Sequence, residues 1–296
     1  MNRYDNISDD EIRFIGYCPE MHIDPPRKKT FMWITSCVIA VILLAGICFS
    51  YLRGYEGQPD ISSDPINMAV YEQKENNAEG QSYVEINDTI INDVSLHCFI
   101  PINAKPKLEV GLIKDIPPQY ILGAMAADFG KENDSYQVIG AFVHQGEMIS
   151  HSKSKYGFCA LLKDTVVIGD DLTTPYFEQA IEENGDFFRQ HALVLDGEVV
   201  TKFITQGQSL RRALCVLHDG RLCIIDTDMS VTFDTFATAL CQYGVKNAIA
   251  LMGSGAAVRW ADDEAGRRFI AGADEFDFPD VVNYIVWEKT NNSAAN

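Results

Sequence analysis

The feature that most limits what this chain can fold into is an uncharged, apolar run over residues 31–52, FMWITSCVIAVILLAGICFSYL. A run of this length can cross the hydrocarbon layer of a membrane as a helix. Trp33 and Tyr51 lie near its two ends, where amphipathic rings favour the interface. A cleaved signal peptide is the alternative, but such peptides start near residue 1 and have a shorter apolar region. The sequence therefore predicts one uncleaved transmembrane helix at residues 31–52.

Charges on either side of this run predict its orientation. Arg27, Lys28 and Lys29 come directly before it, whereas only Arg53 follows closely. Positive residues stay on the cytoplasmic side, so we expect a cytoplasmic tail at residues 1–30 and an extracytoplasmic remainder. Residues 53–80 are polar and rich in Pro, Gly and Asn, which indicates a linker before a domain at residues 81–296.

The charge balance limits the partners of that domain. The chain has 42 acidic and 24 basic side chains, for a net charge of −18, and most of the excess follows residue 53. So acidic a domain is a poor partner for nucleic acid or for an anionic bilayer surface.

The cysteines give no sign of a metal site. Cys98, Cys159, Cys215, Cys223 and Cys241 follow the predicted span, form no CxxC pair and mostly sit in apolar runs. We expect buried free thiols, with room for one disulfide, and neither a metal nor a cofactor.

The order of patterns predicts an α+β domain around a mixed sheet with a few helices. Short β-rich runs separated by turn residues extend over residues 82–169 and again over residues 191–226. A first helix is expected after Pro175 with Gly185 as its stop, and a second between Ser230 as cap and Gly244. Asp219-Gly220 predicts a hairpin turn.

Recognised motifs for nucleotide binding and nucleophilic catalysis do not fit. Gly253-Ser254-Gly255 follows the apolar run KNAIALM, but Val258 stands where the dinucleotide-binding pattern needs Gly or Ala. MGSGA is not the GxSxG of a nucleophile elbow either. Arg211 and Arg212 open a strand, so their side chains should point to opposite faces. One of them is free to enter a cleft and bind a phosphate or carboxylate, or both are simply solvated at the strand end.

Several blocks in the right order resemble the phosphodiester glycosidase domain family, of the N-acetylglucosamine-1-phosphodiester alpha-N-acetylglucosaminidase type. They are AMAADFGKENDSYQVIGAFVHQGEMI, HALVLDGEVV, SLRRALCVLHDGRLCIIDTD, VTFDTFATALCQYGVKNAIALMGSGAA and NYIVWEK. The resemblance covers roughly residues 110–288.

The resemblance implies a site that has changed. It places the family's strand arginine on Arg211 and two of its turn glycines on Gly253 and Gly255, with Ser254 between them. It places the family's asparagine, aspartate and serine on Ala126, Met252 and Ala256. The side chains of these three residues carry no acidic or basic group.

Three functions remain open at this point. The first is a domain anchored in the bacterial envelope, facing the periplasm, that binds a glycan or phosphoglycan through Arg211, Gly253, Ser254 and Gly255 after losing hydrolysis. The second is an active hydrolase of a sugar phosphodiester or glycosidic bond, with Arg211 as phosphate clamp and a carboxylate such as Asp128 or Glu147 as its acid or base. The third is a scaffold that binds another envelope protein.

Overall fold

The computed structural model describes residues 69–72, 80–152, 154–163, 165–200, 207–272 and 278–290. All of them fall in one compact unit, Pro65–Asn296. Within these ranges no helix is long and apolar enough to cross a bilayer. The predicted span at residues 31–52 and the predicted cytoplasmic tail lie outside them.

The described chain is mostly β-sheet with two α-helices, and its strands are numbered in chain order. The six-stranded sheet has the order β1-β11-β10-β12-β8-β9. Its strands are β1 (Ala69–Glu72), β8 (Ala141–His144), β9 (Glu147–His151), β10 (Gly157–Leu161), β11 (Thr165–Gly169) and β12 (Asp186–Gln190). Strand β1 lies inside the segment predicted as a linker and pairs with β11.

The seven-stranded sheet has the order β14-β13-β17-β15-β16-β3-β2. Its strands are β2 (Tyr83–Ile91), β3 (Val94–Ile102), β13 (Ala192–Leu195), β14 (Glu198–Val199), β15 (Arg212–Leu217), β16 (Leu222–Asp226) and β17 (Val245–Leu251). The predicted Asp219-Gly220 turn joins β15 to β16, with Gly220 in the left-handed region at φ 88°.

The five-stranded sheet has the order β19-β18-β5-β20-β4. Its strands are β4 (Ala104–Val110), β5 (Tyr120–Met125), β18 (Arg259–Asp262), β19 (Arg268–Ala271) and β20 (Asn283–Lys289). A separate hairpin consists of β6 (Phe129–Glu132) and β7 (Ser135–Val138).

The prediction of mixed sheets is wrong for the described strands, because every pair they form is antiparallel. Short hairpin connections account for many of these pairs, and such connections favour antiparallel neighbours. A helical crossover links β16 to β17, but β15 lies between these two strands. Each of them therefore pairs antiparallel with β15.

Both predicted helices are present. Helix α1 (Tyr176–Glu182) has Pro175 at its N-cap and ends before Gly185, as expected. Helix α2 (Phe233–Tyr243) ends at Gly244, with φ 103°. Its cap is Thr232 rather than the predicted Ser230, because the Thr232 side chain accepts the hydrogen bond from the Thr235 amide.

The largest apolar cluster takes side chains from all three large sheets, including Phe142, Leu214 and Trp287. Helix α2 covers the other face of the seven-stranded sheet, and α1 packs on the six-stranded sheet. The five described cysteines are free thiols, four of them buried and Cys241 half-buried, as the sequence predicted.

Candidate functional site

A cleft of about 1120 Å³ lies where the start of β15 meets the end of β17. Arg212 pairs with Leu251 across these two strands, so residues just before β15 and just after β17 must lie side by side. The four residues predicted to bind a ligand, Arg211, Gly253, Ser254 and Gly255, all line this cleft. We call it the glycine-turn cleft.

Gly253 has no room for a side chain. A Cβ atom there would lie 2.7 Å from the Arg212 amide nitrogen and 2.8 Å from the Leu210 carbonyl oxygen. The turn therefore packs directly on the chain that enters β15. At Gly255, by contrast, the nearest atom to such a Cβ is the Leu210 side chain at 3.9 Å.

The Arg211 side chain is already held by protein groups. Its Nε donates to the Val231 carbonyl at 2.9 Å, its Nη2 donates to the Gly207 carbonyl, and its guanidinium lies 3.8 Å from the centre of the Phe233 ring. Burial lowers its pKa. Two of its donors are thus used, so Arg211 is less available as a phosphate clamp than the sequence predicted.

Arg212 fixes the glycine turn to the sheet. It is almost fully buried, and its Nη1 donates to the carbonyls of Met252, Ala257 and Val258 at 3.2–3.3 Å. Its Nε and Nη2 face Asp226 Oδ2 at 3.4 and 3.3 Å. Burial lowers the Arg212 pKa to about 10, against the opposing charge of Asp226.

Arg259 also lines the cleft and has a guanidinium nitrogen without a hydrogen-bond partner. Its Nε donates to the same oxygen of Asp226 at 2.9 Å, and its guanidinium lies 3.9 Å from the centre of the Phe99 ring. Its Nη1 is buried and has no hydrogen-bond partner. One carboxylate therefore faces two arginines, and an unmet N–H at this point favours an anionic or strongly polar ligand group.

His97 extends this cluster along one register row of the sheet. Asp226 pairs with His97 across β16 and β3, and His97 pairs with Asp88 across β3 and β2. His97 Nδ1 lies 2.7 Å from Asp88, and its Nε2 lies 3.4 Å from Asp228. Burial opposes the charged imidazolium, but these carboxylates, with Asp226, raise the His97 pKa.

The rest of the cleft is acidic and partly aromatic. The lining includes the carboxylates of Glu85, Asp263 and Glu264 and the rings of Tyr83 and Phe269. Carboxylates accept hydrogen bonds from hydroxyl groups, and aromatic faces contact apolar ligand faces.

Asp128 and Glu147, predicted as acid or base, do not line the cleft. Asp128 Oδ2 lies 2.8 Å from Lys155 Nζ, which in turn lies 3.3 Å from His191 Nε2. Glu147 is exposed at the start of β9, where it pairs with His144. Nothing in the described residues tests a catalytic role for either, so these assignments stay predictions.

The three positions where the resemblance implies lost polar groups lie near the glycine turn. The Met252 amide donates to the Ala126 carbonyl at 3.1 Å, so the first two positions are adjacent in space. Ala126 is fully buried, and Met252 packs on an apolar cluster that includes Met125 and Ala257. Among the described residues, no group of His, Cys, Asp and Glu is arranged to hold a metal ion.

The sequence matches a known protein family over more than half of its length. The sequence model of the NAGPA family, described as phosphodiester glycosidase, matches residues 121–285. Comparison with curated proteins gave no significant match.

Solved structures resemble the chain at low identity. The zebrafish N-acetylglucosamine-1-phosphodiester alpha-N-acetylglucosaminidase catalytic domain, auto-inhibited by its pro-peptide, has a TM-score of 0.54 at 14% identity, over 75% of this chain and 88% of that one. A hypothetical protein from Synechocystis has a TM-score of 0.47 at 11% identity, over 69% and 62%. A putative exported protein from Burkholderia pseudomallei has a TM-score of 0.44 at 9% identity, over 66% and 73%.

Proposed function

Because the chain belongs to the phosphodiester glycosidase family, we propose that it binds a glycan or phosphoglycan in the glycine-turn cleft and has lost the hydrolysis. The observation that carries this proposal is Arg259, a residue of the cleft lining whose buried Nη1 has no hydrogen-bond partner. A phosphodiester oxygen is a suitable acceptor for that donor. The carboxylates of Glu85, Asp263 and Glu264 suit sugar hydroxyls.

The loss of hydrolysis is proposed from the side chains beside the turn. Cleaving a sugar–phosphate bond needs a positioned acid or base as well as charge stabilisation. Ala126, Met252 and Ala256 supply neither. Asp226 is a carboxylate nearby, but its Oδ2 already faces two arginines.

A binding and turnover assay on the full-length chain tests this function. We expect sugar phosphodiesters to bind without being hydrolysed, and Arg259→Gln to weaken their binding by about tenfold or more. Lys246→Gln is the control, because Lys246 is half-exposed, pairs with Asp196 and does not line the cleft. Equal binding by both variants would refute the role of Arg259.

An active hydrolase with a rearranged site is the second candidate, and one observation favours it. Asp128, Lys155 and His191 form a polar cluster. This cluster lies close to Ala126 and Met252, because the Ala250 amide, two residues before Met252, donates to the His191 carbonyl. Turnover by the unaltered chain that Asp128→Asn or Glu147→Gln abolishes would establish this candidate. Turnover only after Met252→Asp would support the loss of an ancestral acid instead.

We further propose that residues 31–52 anchor the chain in a membrane, with residues 1–30 in the cytoplasm and the sheet domain outside. The apolar run and the Arg27-Lys28-Lys29 cluster support this orientation. In membrane vesicles of known orientation, protease added from the extracytoplasmic side should digest the sheet domain and spare residues 1–30. Release of the full chain by alkaline carbonate would contradict the anchor.

A further inference from the structure

A second cluster of charged residues lies outside the glycine-turn cleft. Asp128 follows β5, Lys155 precedes β10, and His191 joins β12 to β13. Lys155 Nζ is the centre of the cluster, at 2.8 Å from Asp128 and 3.3 Å from His191. None of these three residues lines the cleft.

Lys155 is less exposed to water than its partner carboxylate. The exposed fraction of its side chain is 13%, against 34% for Asp128. Its backbone has φ 67°, a left-handed conformation that costs energy for a residue other than glycine. An ammonium that is largely shielded from water, opposed by a carboxylate that is partly open to water, is a site where another anion can replace that carboxylate.

Arg211 lies close to His191 and makes the surroundings of the cluster more positive. The His191 ring packs 5.6 Å from the Phe233 ring, on which the Arg211 guanidinium stacks. The groups that act on His191 are Lys155 and Arg211, which oppose its protonation, and Asp128, which favours it. Burial is the largest effect, and the net result is that the His191 pKa falls to about 4.

We propose that Asp128, Lys155 and His191 form a second binding site, which takes a phosphoryl- or sulfate-type dianion on Lys155 Nζ in place of Asp128. Without ligand, neutral His191 accepts a hydrogen bond from Lys155 at Nε2, so its proton is on Nδ1. A dianion on Lys155 stabilises the imidazolium, which then donates from Nε2 to the anion. Binding therefore takes up a proton, and affinity rises as the pH falls from 7 towards the pKa of the free site.

Calorimetric titration of the full-length chain with sodium sulfate tests this site. Sulfate keeps its charge between about pH 5 and 8, so any pH dependence belongs to the protein, and sodium chloride at matched ionic strength controls for screening. We expect saturable binding that is tighter at pH 5 than at pH 7. Heats in two buffers of different ionisation enthalpy should report the uptake of a proton. Absence of saturable binding, or of proton uptake, overturns the proposal without any variant.

Single substitutions show which residues bind the sulfate ion. Lys155→Met should weaken sulfate binding by about tenfold or more, and His191→Gln should remove its pH dependence, while the control His218→Gln changes neither. Arg259→Gln separates this site from the cleft. If Arg259→Gln abolishes sulfate binding and Lys155→Met leaves it intact, the ion sits in the cleft and the second site is refuted. Melting curves confirm that each variant is folded.

Glucose 1-phosphate, titrated beside sulfate, distinguishes two sources of the dianion. Tighter binding of the sugar phosphate, lost in Lys155→Met, supports the site and identifies a group carried by a sugar. Equal affinity for the two ligands supports the site for the free ion.

Discussion

Asp226 holds the guanidinium groups of Arg212 and Arg259 together at the floor of the glycine-turn cleft. The side chains of Asp226 and Arg212 are less than a tenth exposed, and Arg259 is only slightly more so. Removing one member of such a cluster leaves the others charged and buried, which costs far more than the cluster itself contributes.

Asp226→Asn should therefore lower the free energy of unfolding by about 3–5 kcal/mol. The control is Asp219→Asn, which removes a carboxylate from the half-exposed pair with Arg221 and should cost less than about 1 kcal/mol. Urea unfolding of the two variants decides between these values. Similar losses in both would mean that Asp226 is not needed to balance the two arginines.

The sequence predicted part of this cluster. Strand alternation correctly sends Arg211 and Arg212 to different surroundings, but it does not say which of the two contacts Asp226. That depends on Asp226 lying opposite Arg212, which is a matter of strand register. Arg259 and His97 come from distant strands, and no local pattern links them to Asp226.

At the scale of single elements, the glycine turn is shaped by its contact with the start of β15. Gly253→Ala should destabilise the domain and weaken ligand binding, because its Cβ would overlap the backbone of residues 210–212. Gly255→Ala should change both by little, because the space around it is open. Thermal melting and the sugar phosphodiester titration measure the two effects, and an unaffected Gly253→Ala would show that the turn can shift.

Helix α2 offers a second matched pair of substitutions. Thr232→Ala removes the side chain that caps the Thr235 amide and should cost about 1 kcal/mol. Ser230→Ala, at the position favoured by the sequence pattern, should cost nearly nothing. A larger loss for Ser230→Ala in urea unfolding would assign the cap to Ser230 after all.

Strands rich in buried apolar residues were predictable, whereas two short strands with charged side chains were not. Strands β3, β15 and β17 are mostly apolar, because most of their side chains are buried. Strands β18 and β19 have four residues each and contain charged side chains, so their sequence gives little sign of a strand. They form because β5 provides the neighbouring strand for β18.

For the molecule as a whole, the free thiols report on the integrity of the sheets. Cys98, Cys215 and Cys223 lie on the neighbouring strands β3, β15 and β16. These three thiols are buried, and so is Cys159 on β10. Alkylation of the native chain, followed by peptide mapping, should label Cys241 before these four. In denaturant without reductant all five should react, and an unlabelled pair would reveal a disulfide.

The position of the cleft has a consequence for the kinetics of folding. Its walls come from β2 and β3 near the start of the sheet domain, from the β15–β16 hairpin, and from the turn after β17. Hairpins close short loops quickly, whereas pairing β16 with β3 must close a loop of more than a hundred residues. We therefore expect the cleft to be among the last parts of the domain to form during refolding, so that recovery of ligand binding lags behind recovery of secondary structure.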